Sequence, residues 1–177
     1  MSTLHVENLK GLSSGGNANK VIIPTGQTLE VTDNIRHDDM PSGSVVQVVT
    51  SNKTNSTQIT STSAVDTGLS VSITPKFNTS KIFISLSTLG ICYNTQYIIH
   101  RLLRDSTIIY GDAGYNNNNY WMPLNYAINH LDSPATTSAI TYKTMAYISN
   151  SGGDIRFNYN GDGSAHTASI TAMEIAA

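Results

Sequence analysis

Between Tyr115 and Tyr126 the chain reads YNNNNYWMPLNY, four consecutive Asn framed by Tyr115 and Tyr120, with the sole Trp of the sequence directly after them. Tyr and Trp carry flat apolar faces with polar tips, and the amides of Asn116, Asn117, Asn118 and Asn119 both donate and accept hydrogen bonds. Aromatic rings beside side-chain amides make adaptable recognition surfaces. Stacking faces with amide hydrogen bonds also suit neutral sugars, for which no charge is required. Tyr115, Asn116, Asn117, Asn118, Asn119, Tyr120, Trp121 and Tyr126 are therefore the candidate receptor-binding residues. The structural alternative is that Trp121, Met122 and Leu124 plug one end of a core while the Asn run forms a solvated loop tip, and the two readings are compatible.

Other candidate chemistry is weaker. Histidines occur at positions 5, 37, 100, 130 and 166, none in a metal-binding or catalytic-triad spacing. His37 with Asp38 and Asp39 could present metal ligands but reads better as a solvated junction, and His130 with Asp132 is an equally weak metal candidate. His100, between Ile99 and Arg101 in an apolar run, reads as a packed or interface histidine. The segment NYNGDG at 158–163 imitates the start of a calcium loop, but Ser169 stands where that loop needs a bidentate Glu. It reads better as a hairpin turn built on Asn-Gly and Asp-Gly. No nucleophile elbow, phosphate loop or HExxH is present, and Asp/Glu pairs suited to glycoside hydrolysis are scarce. The expectation is a non-enzyme with no catalytic residue, no cofactor and no metal.

Most of the elements that must position these residues are strands. GLSVSIT puts Leu69, Val71 and Ile73 on one face, SKIFISLS does the same with Ile82, Ile84 and Leu86, and DIRFNYNG with Ile155, Phe157 and Tyr159. Period-two alternation of this kind marks half-buried antiparallel strands. SVVQVVTS, YIIHRLLRDSTIIYGD with a turn at Arg104–Ser106, SAITYKTMAYIS and ASITAMEIAA supply the rest. In the last, Ile170 and Ala172 face one way and Met173 and Ile175 the other, which predicts a central strand or a subunit interface. About eight or nine strands with regularly spaced turn signals predict an all-β chain, an antiparallel β-sandwich or jelly-roll-like domain. The polar tract Thr50–Ser63 is expected to form a loop or an exposed edge.

Composition agrees. The 177 residues include 21 Ser, 21 Thr and 17 Asn, side chains that favour strands and turns over helix interiors. With 12% charged residues and a formal net charge of −2, the chain lacks an electrostatic footprint for nucleic acid. No run reaches membrane-spanning length, and MSTLHVENLK has no basic region followed by an apolar one, so neither membrane insertion nor Sec-type export is expected. Cys92 is the sole cysteine and cannot form an intrachain disulfide. The sequons at Asn52, Asn55 and Asn78 are what this composition gives by chance. DNIRHDDMPSG at 33–43 has the character of a junction, dividing an N-terminal segment, 1–40, from a β domain, 41–177. TLHVENL at 3–9 is echoed by TLEVTDNI at 28–35, two short strands that need other chains or a docking partner to cover their apolar faces.

TLHVENLKGLSSGGNANKVIIPTGQTLEV, MPSGSVVQVV, DTGLSVSITPKFNTSKIFI, LDSPATTSAITYK and ASITAMEIAA together resemble fibre-like virion proteins of tailed bacteriophages, especially those of marine phages. The likeness touches both ends and the main strands, covers about half the positions and leaves out Cys92 to Asn129. It implies a homotrimer, assembled in the host cytoplasm, whose residues 1–40 attach to other virion proteins and form a stalk. Leu4, Val6, Leu9, Leu29 and Val31 are the candidate attachment residues. It further implies that residues 41–177 form an outward knob that binds a host surface receptor, a glycan or a protein. Alternatives are a head fibre, decoration or tail-adaptor protein, and, from another class, a carbohydrate-binding module or glycan hydrolase.

Overall fold

A computed structural model describes residues 13–15, 21–28, 40–94, 96–116, 120–159 and 166–177. The chain divides into two compact units, Met1–Arg36 and His37–Ala177. In the first, the Gln27 N–H donates to the Pro24 carbonyl at 3.0 Å and closes a turn. The candidate attachment residues Leu4, Val6, Leu9, Leu29 and Val31, and His37 with its two neighbouring Asp, lie outside the described residues.

The second unit is an antiparallel β-sandwich. Its strands are β1 (Val45–Lys53), β2 (Thr57–Ile59), β3 (Val65–Ile73), β4 (Lys81–Tyr93), β5 (Gln96–Arg104), β6 (Thr107–Asn116), β7 (Met122–Asp132), β8 (Ile140–Ile148), β9 (Asp154–Phe157) and β10 (Ala168–Ile175). One sheet runs β1-β10-β4-β9-β2 with β7 on the other side of β4, and the second runs β3-β8-β5-β6. Strand β4 is the spine of the first sheet. It pairs with β7 from Ile82 to Cys92, while its opposite edge meets β10 up to Ser87 and then β9 from Gly90.

The alternation read from the sequence sets the faces. Leu69, Val71, Ile73, Ile82, Ile84, Leu86, Ile155 and Phe157 are all buried between the sheets. One core cluster gathers Leu69, Val71, Ile82, Ile84, Leu102, Tyr142 and Ile170, and a second gathers Ile59, Cys92, Ile98, Ile148, Ile155 and Phe157. The expectation that β9 runs on to an inward Tyr159 fails. Asn158 takes a left-handed φ of 55°, which ends the strand after Phe157 and turns Asn158 inward. There its amide oxygen accepts from Thr88 Oγ1 at 3.1 Å and its amide nitrogen reaches the Lys53 and Asn55 carbonyls. Tyr159 is consequently half-buried rather than a core residue. The polar tract Thr50–Ser63 forms exposed edge and connection, as expected: its first residues end β1 and Thr57–Ile59 is β2, the two outer strands of the β1-β10-β4-β9-β2 path.

Charged and polar groups tie the layers together. Arg104 Nη1 at the end of β5 donates to both Asp132 oxygens, at 3.0 and 2.9 Å, and Tyr142 Oη from β8 donates to Asp132 Oδ2 at 2.8 Å. Asp132 ends β7, so this network joins the two sheets. Burial, then the Asp132 carboxylate, pushes the Tyr142 hydroxyl pKa up, so it remains a donor. Glu174, fully buried on β10, accepts the backbone N–H groups of Lys76 at 2.7 Å and Phe77 at 3.2 Å and the side-chain amide of Gln47.

Where β4 passes from β10 to β9 it carries Gly90, and a Cβ at that position would lie 2.5 Å from the Arg156 carbonyl oxygen. A glycine inside a strand marks such a close backbone approach. Gly90→Ala is expected to force β9 outward and to cost about 1–3 kcal/mol, the usual range for overpacking a filled interior. A thermal melt that matches the parent protein would contradict this.

Candidate functional site

The residues singled out between Tyr115 and Tyr126 do not form one surface. Asn117, Asn118 and Asn119 lie outside the described residues. Of the others, Tyr115 ends up in β6 and Tyr126 in β7, so the stretch is largely two strand ends and their connection. Tyr115, Tyr120 and Trp121 are exposed, at 59%, 78% and 45%. Asn116 and Tyr126 point inward instead, at 2% and 7%. Strand alternation explains the split, since Asn116 shares the inner face of β6 with Gly114, and Tyr126 that of β7 with Ile128.

Asn116 has a structural task. Its amide nitrogen donates to the Cys92 carbonyl at 3.2 Å and to Cys92 Sγ at 3.3 Å, and lies 3.4 Å from the Tyr120 carbonyl. One buried amide thus fastens the β6–β7 connection to the end of β4.

The exposed aromatics group with others that the sequence reading passed over. Tyr97, across β5–β6 from Tyr115, brings its ring to 5.1 Å from that of Tyr115, and both are exposed. Trp121 packs on Tyr93 at 5.4 Å, and the Arg156 guanidinium lies 4.7 Å over the Trp121 ring and 5.3 Å over Tyr159. Arg156 is itself oriented by Asp154, whose Oδ2 accepts from its Nε at 3.0 Å and is 2.9 Å from its Nη2. A hollow of about 250 Å³ lined by Ile91, Trp121, Arg156 and Tyr159 opens beside this stack. The strand ends of β4, β6 and β9 and the starts of β5 and β7 place all of these rings at one end of the sandwich. The signal for Arg156 was available only as its alternation opposite Ile155, which gives outward direction and not a partner.

Beneath this end, the two core clusters meet at a belt of polar side chains. Thr88 lies between Leu86 and Cys92 on β4, His100 between Ile98 and Leu102 on β5, and Tyr126 just before Ile128 on β7. The His100 ring is 4.7 Å from Tyr126 and 5.5 Å from Phe157, and His100 is fully buried. Neither nitrogen of His100, nor Tyr126 Oη, has a hydrogen-bond partner among the described residues. Such a buried polar group left unpaired costs about 1–3 kcal/mol. Burial lowers the His100 pKa to about 4, outweighing Asp112, its cross-strand partner on β6, which acts to raise it. Burial, followed by Asp112 and then Cys92, raises that of Tyr126.

Among the described residues no group of three His, Cys, Asp or Glu could hold a metal ion. The Asp132 carboxylate near His130 is occupied by Arg104 and Tyr142.

No family model matches the chain, and no curated protein matches it either. Among solved structures it is similar to the crystal structure of the infectious bursal disease virus VP2 subviral particle, with a TM-score of 0.32 and 15% identity over 88% of this chain and 46% of that one. It is also similar to the structure of the infectious bursal disease virus Gt strain, with a TM-score of 0.28 and 15% identity over 97% of this chain and 52% of that one. The chain spans about half the length of each.

The belt predicts a pH dependence. In the unfolded chain His100 titrates at the ordinary value near 6.5, and in the fold at about 4, so the unfolded state binds the extra proton between them. Stability is then fully present above pH 6.5 and falls as the pH drops to 4, by on the order of 3 kcal/mol from this group. Denaturant titrations at pH 7, 5 and 4 are expected to show the loss, reduced in His100→Phe. Equal slopes in parent and variant would rule out His100 as the source.

Proposed function

We propose that the chain is a virion structural protein, a trimeric phage fibre whose β-sandwich recognises a host surface glycan. The observation that carries this reading is the concentration of exposed Tyr97, Tyr115, Tyr120 and Trp121 at one end of a rigid sandwich. Tyr120, the most exposed of them at 78%, covers no core, and large aromatic rings left at the surface mark a contact site. Neutral sugars stack their C–H faces on such rings, and weak single sites gain avidity when several copies act together. The resemblance of the strand segments to fibre-like virion proteins supports the setting, with residues 1–40 as the attachment and stalk segment.

Replacing Tyr120 and Trp121 together by Ala is expected to leave the domain folded and to lower virion adsorption about tenfold or more, on the scale of losing two aromatic contacts. Normal adsorption by a folded double variant would defeat the reading.

Self-association is supported by the outer face of the first sheet. Register places Val48, Met173, Phe83 and Leu131 side by side across β1, β10, β4 and β7, with Val45 and Ile175 in the next row. Val48 and Leu131 are both more than half exposed, at 53% and 51%. Four strands offering an apolar row outward suit a second copy of this sheet or its neighbour in a trimer. Val48→Lys combined with Leu131→Lys is expected to shift the light-scattering mass toward one chain while far-ultraviolet circular dichroism stays that of a β-protein. An unchanged mass would remove this face from the interface.

A further inference from the structure

Arg156 is a cation held in place at the surface. It points outward from β9, opposite Ile91 of β4 across the strand pair, and its side chain is 31% exposed. A single Asp154 oxygen, Oδ2, takes one side of the guanidinium, 3.0 Å from Nε and 2.9 Å from Nη2. The same oxygen accepts from Gln58 Nε2 at 2.9 Å, while Asp154 Oδ1 is buried. The acid therefore orients the guanidinium from below and turns its second oxygen away from solvent. Nη1 has no hydrogen-bond partner among the described residues, so the Nη1–Nη2 edge is the side left for a ligand. Two parallel N–H donors on a planar cation match an anionic group that can accept both.

The space beside this cation has apolar and aromatic walls. The hollow of about 250 Å³ is lined by Ile91, Trp121 and Tyr159 together with Arg156 itself. Trp121, 45% exposed, lies against the guanidinium at 4.7 Å, and the left-handed turn at Asn158 returns Tyr159 to within 5.3 Å of it. The rings fix the guanidinium across its face and Asp154 fixes it from the side. Packing alone would use the stacked faces, as cation–π contacts do, and would leave the Nη1–Nη2 edge idle. A ligand for the hollow needs one anionic group for that edge and a C–H face for the walls.

We propose that the hollow beside Arg156 binds an acidic sugar residue, its carboxylate or sulfate on the Nη1–Nη2 edge and its ring against Trp121, Tyr159 and Ile91. The inference rests on the glycan reading above and deepens it, since neutral sugars on the exposed rings would then flank an acidic one at Arg156. The volume lies a little under that of drug-sized sites and suits a single ring.

Trp121 is the sole Trp of the chain, so its fluorescence reports on this hollow directly. The full chain is titrated with methyl glucuronide, the methyl glycoside of N-acetylneuraminate and methyl galactoside 6-sulfate, with methyl glucoside and methyl galactoside as neutral controls. At least one acidic glycoside is expected to change the emission saturably, at a concentration about tenfold or more below that needed by the neutral controls. Which acidic glycoside binds tighter identifies the anionic group as carboxylate or sulfate. Arg156→Gln is expected to weaken binding about tenfold or more, and Arg156→Lys, which keeps the charge and loses the paired donors, to recover part of the loss. Should neither variant fold, the preference of the parent for acidic over neutral glycosides, weakened by raised salt, decides the matter. No saturable binding of any acidic glycoside, equal binding of the neutral controls, or unchanged binding in a folded Arg156→Gln would overturn the proposal. If the Tyr120/Trp121 variant loses adsorption while no acidic glycoside binds the parent, the hollow falls and the aromatic surface stands. If Arg156→Gln loses glycoside binding while its virions adsorb normally, the hollow stands and the host-glycan reading falls.

Discussion

The sandwich depends on a single strand being long enough to serve three neighbours. β4 spans 13 residues, and its length lets it hold β7 along one edge while β10 and β9 share the other. Half of the first sheet is therefore registered through one backbone. The handover at Gly90 sets how closely β9 can lie, and β9 in turn fixes β2 and the Arg156 that backs Trp121. A constraint in the middle of the sheet thus reaches the aromatic end. Glu174 and Asp132 act on the same spine from its flanks, one fastening the β3–β4 connection to β10 and the other joining β7 to the second sheet.

The geometry of the aromatic end follows from where the sheets stop pairing. β6 and β7 end their sheets facing each other, with residues of both lining the gap between the two edges. Edge strands normally need protection from adventitious pairing. Here the Asn116 amide ties the end of β6 to the end of β4 from within. The polar belt of Thr88, His100 and Tyr126 lies directly behind this gap. Full burial keeps His100 neutral at physiological pH, and the belt lowers stability where a continuous apolar core would have raised it. Unpaired groups retained at such cost are the kind of local inconsistency expected next to a functional surface.

The sequence made the fold class legible because alternation is a property of consecutive residues. The inward faces of β3, β4 and β10 follow directly from Leu69 to Ile73, Ile82 to Leu86 and Ile170 to Ala172. At the candidate site the same period holds, but beneath a composition that looks like a loop. A run of four Asn looks like a loop, yet Asn116 is the last residue of a strand and takes the buried side of it, while Tyr115 beside it is exposed. Tyr97 and Arg156 carried no local mark of their role, since each gains meaning only from a ring brought to it by strand pairing.

What the sequence by itself determined is most of the strands, all but β2 and β7 of the ten described, with their two faces and the richness in aromatic and amide side chains between Tyr115 and Tyr126. These depend on period-two patterning and turn chemistry, both confined to short windows. Tertiary structure alone decided that β6 and β7 end opposite sheets, that Tyr126 Oη is enclosed beneath Gly114, and that Glu174 meets Lys76 and Asp132 meets Arg104. Those outcomes rest on contacts between residues from about a dozen positions apart, as for Gly114 and Tyr126, to 98 for Lys76 and Glu174, whose geometry no local window contains.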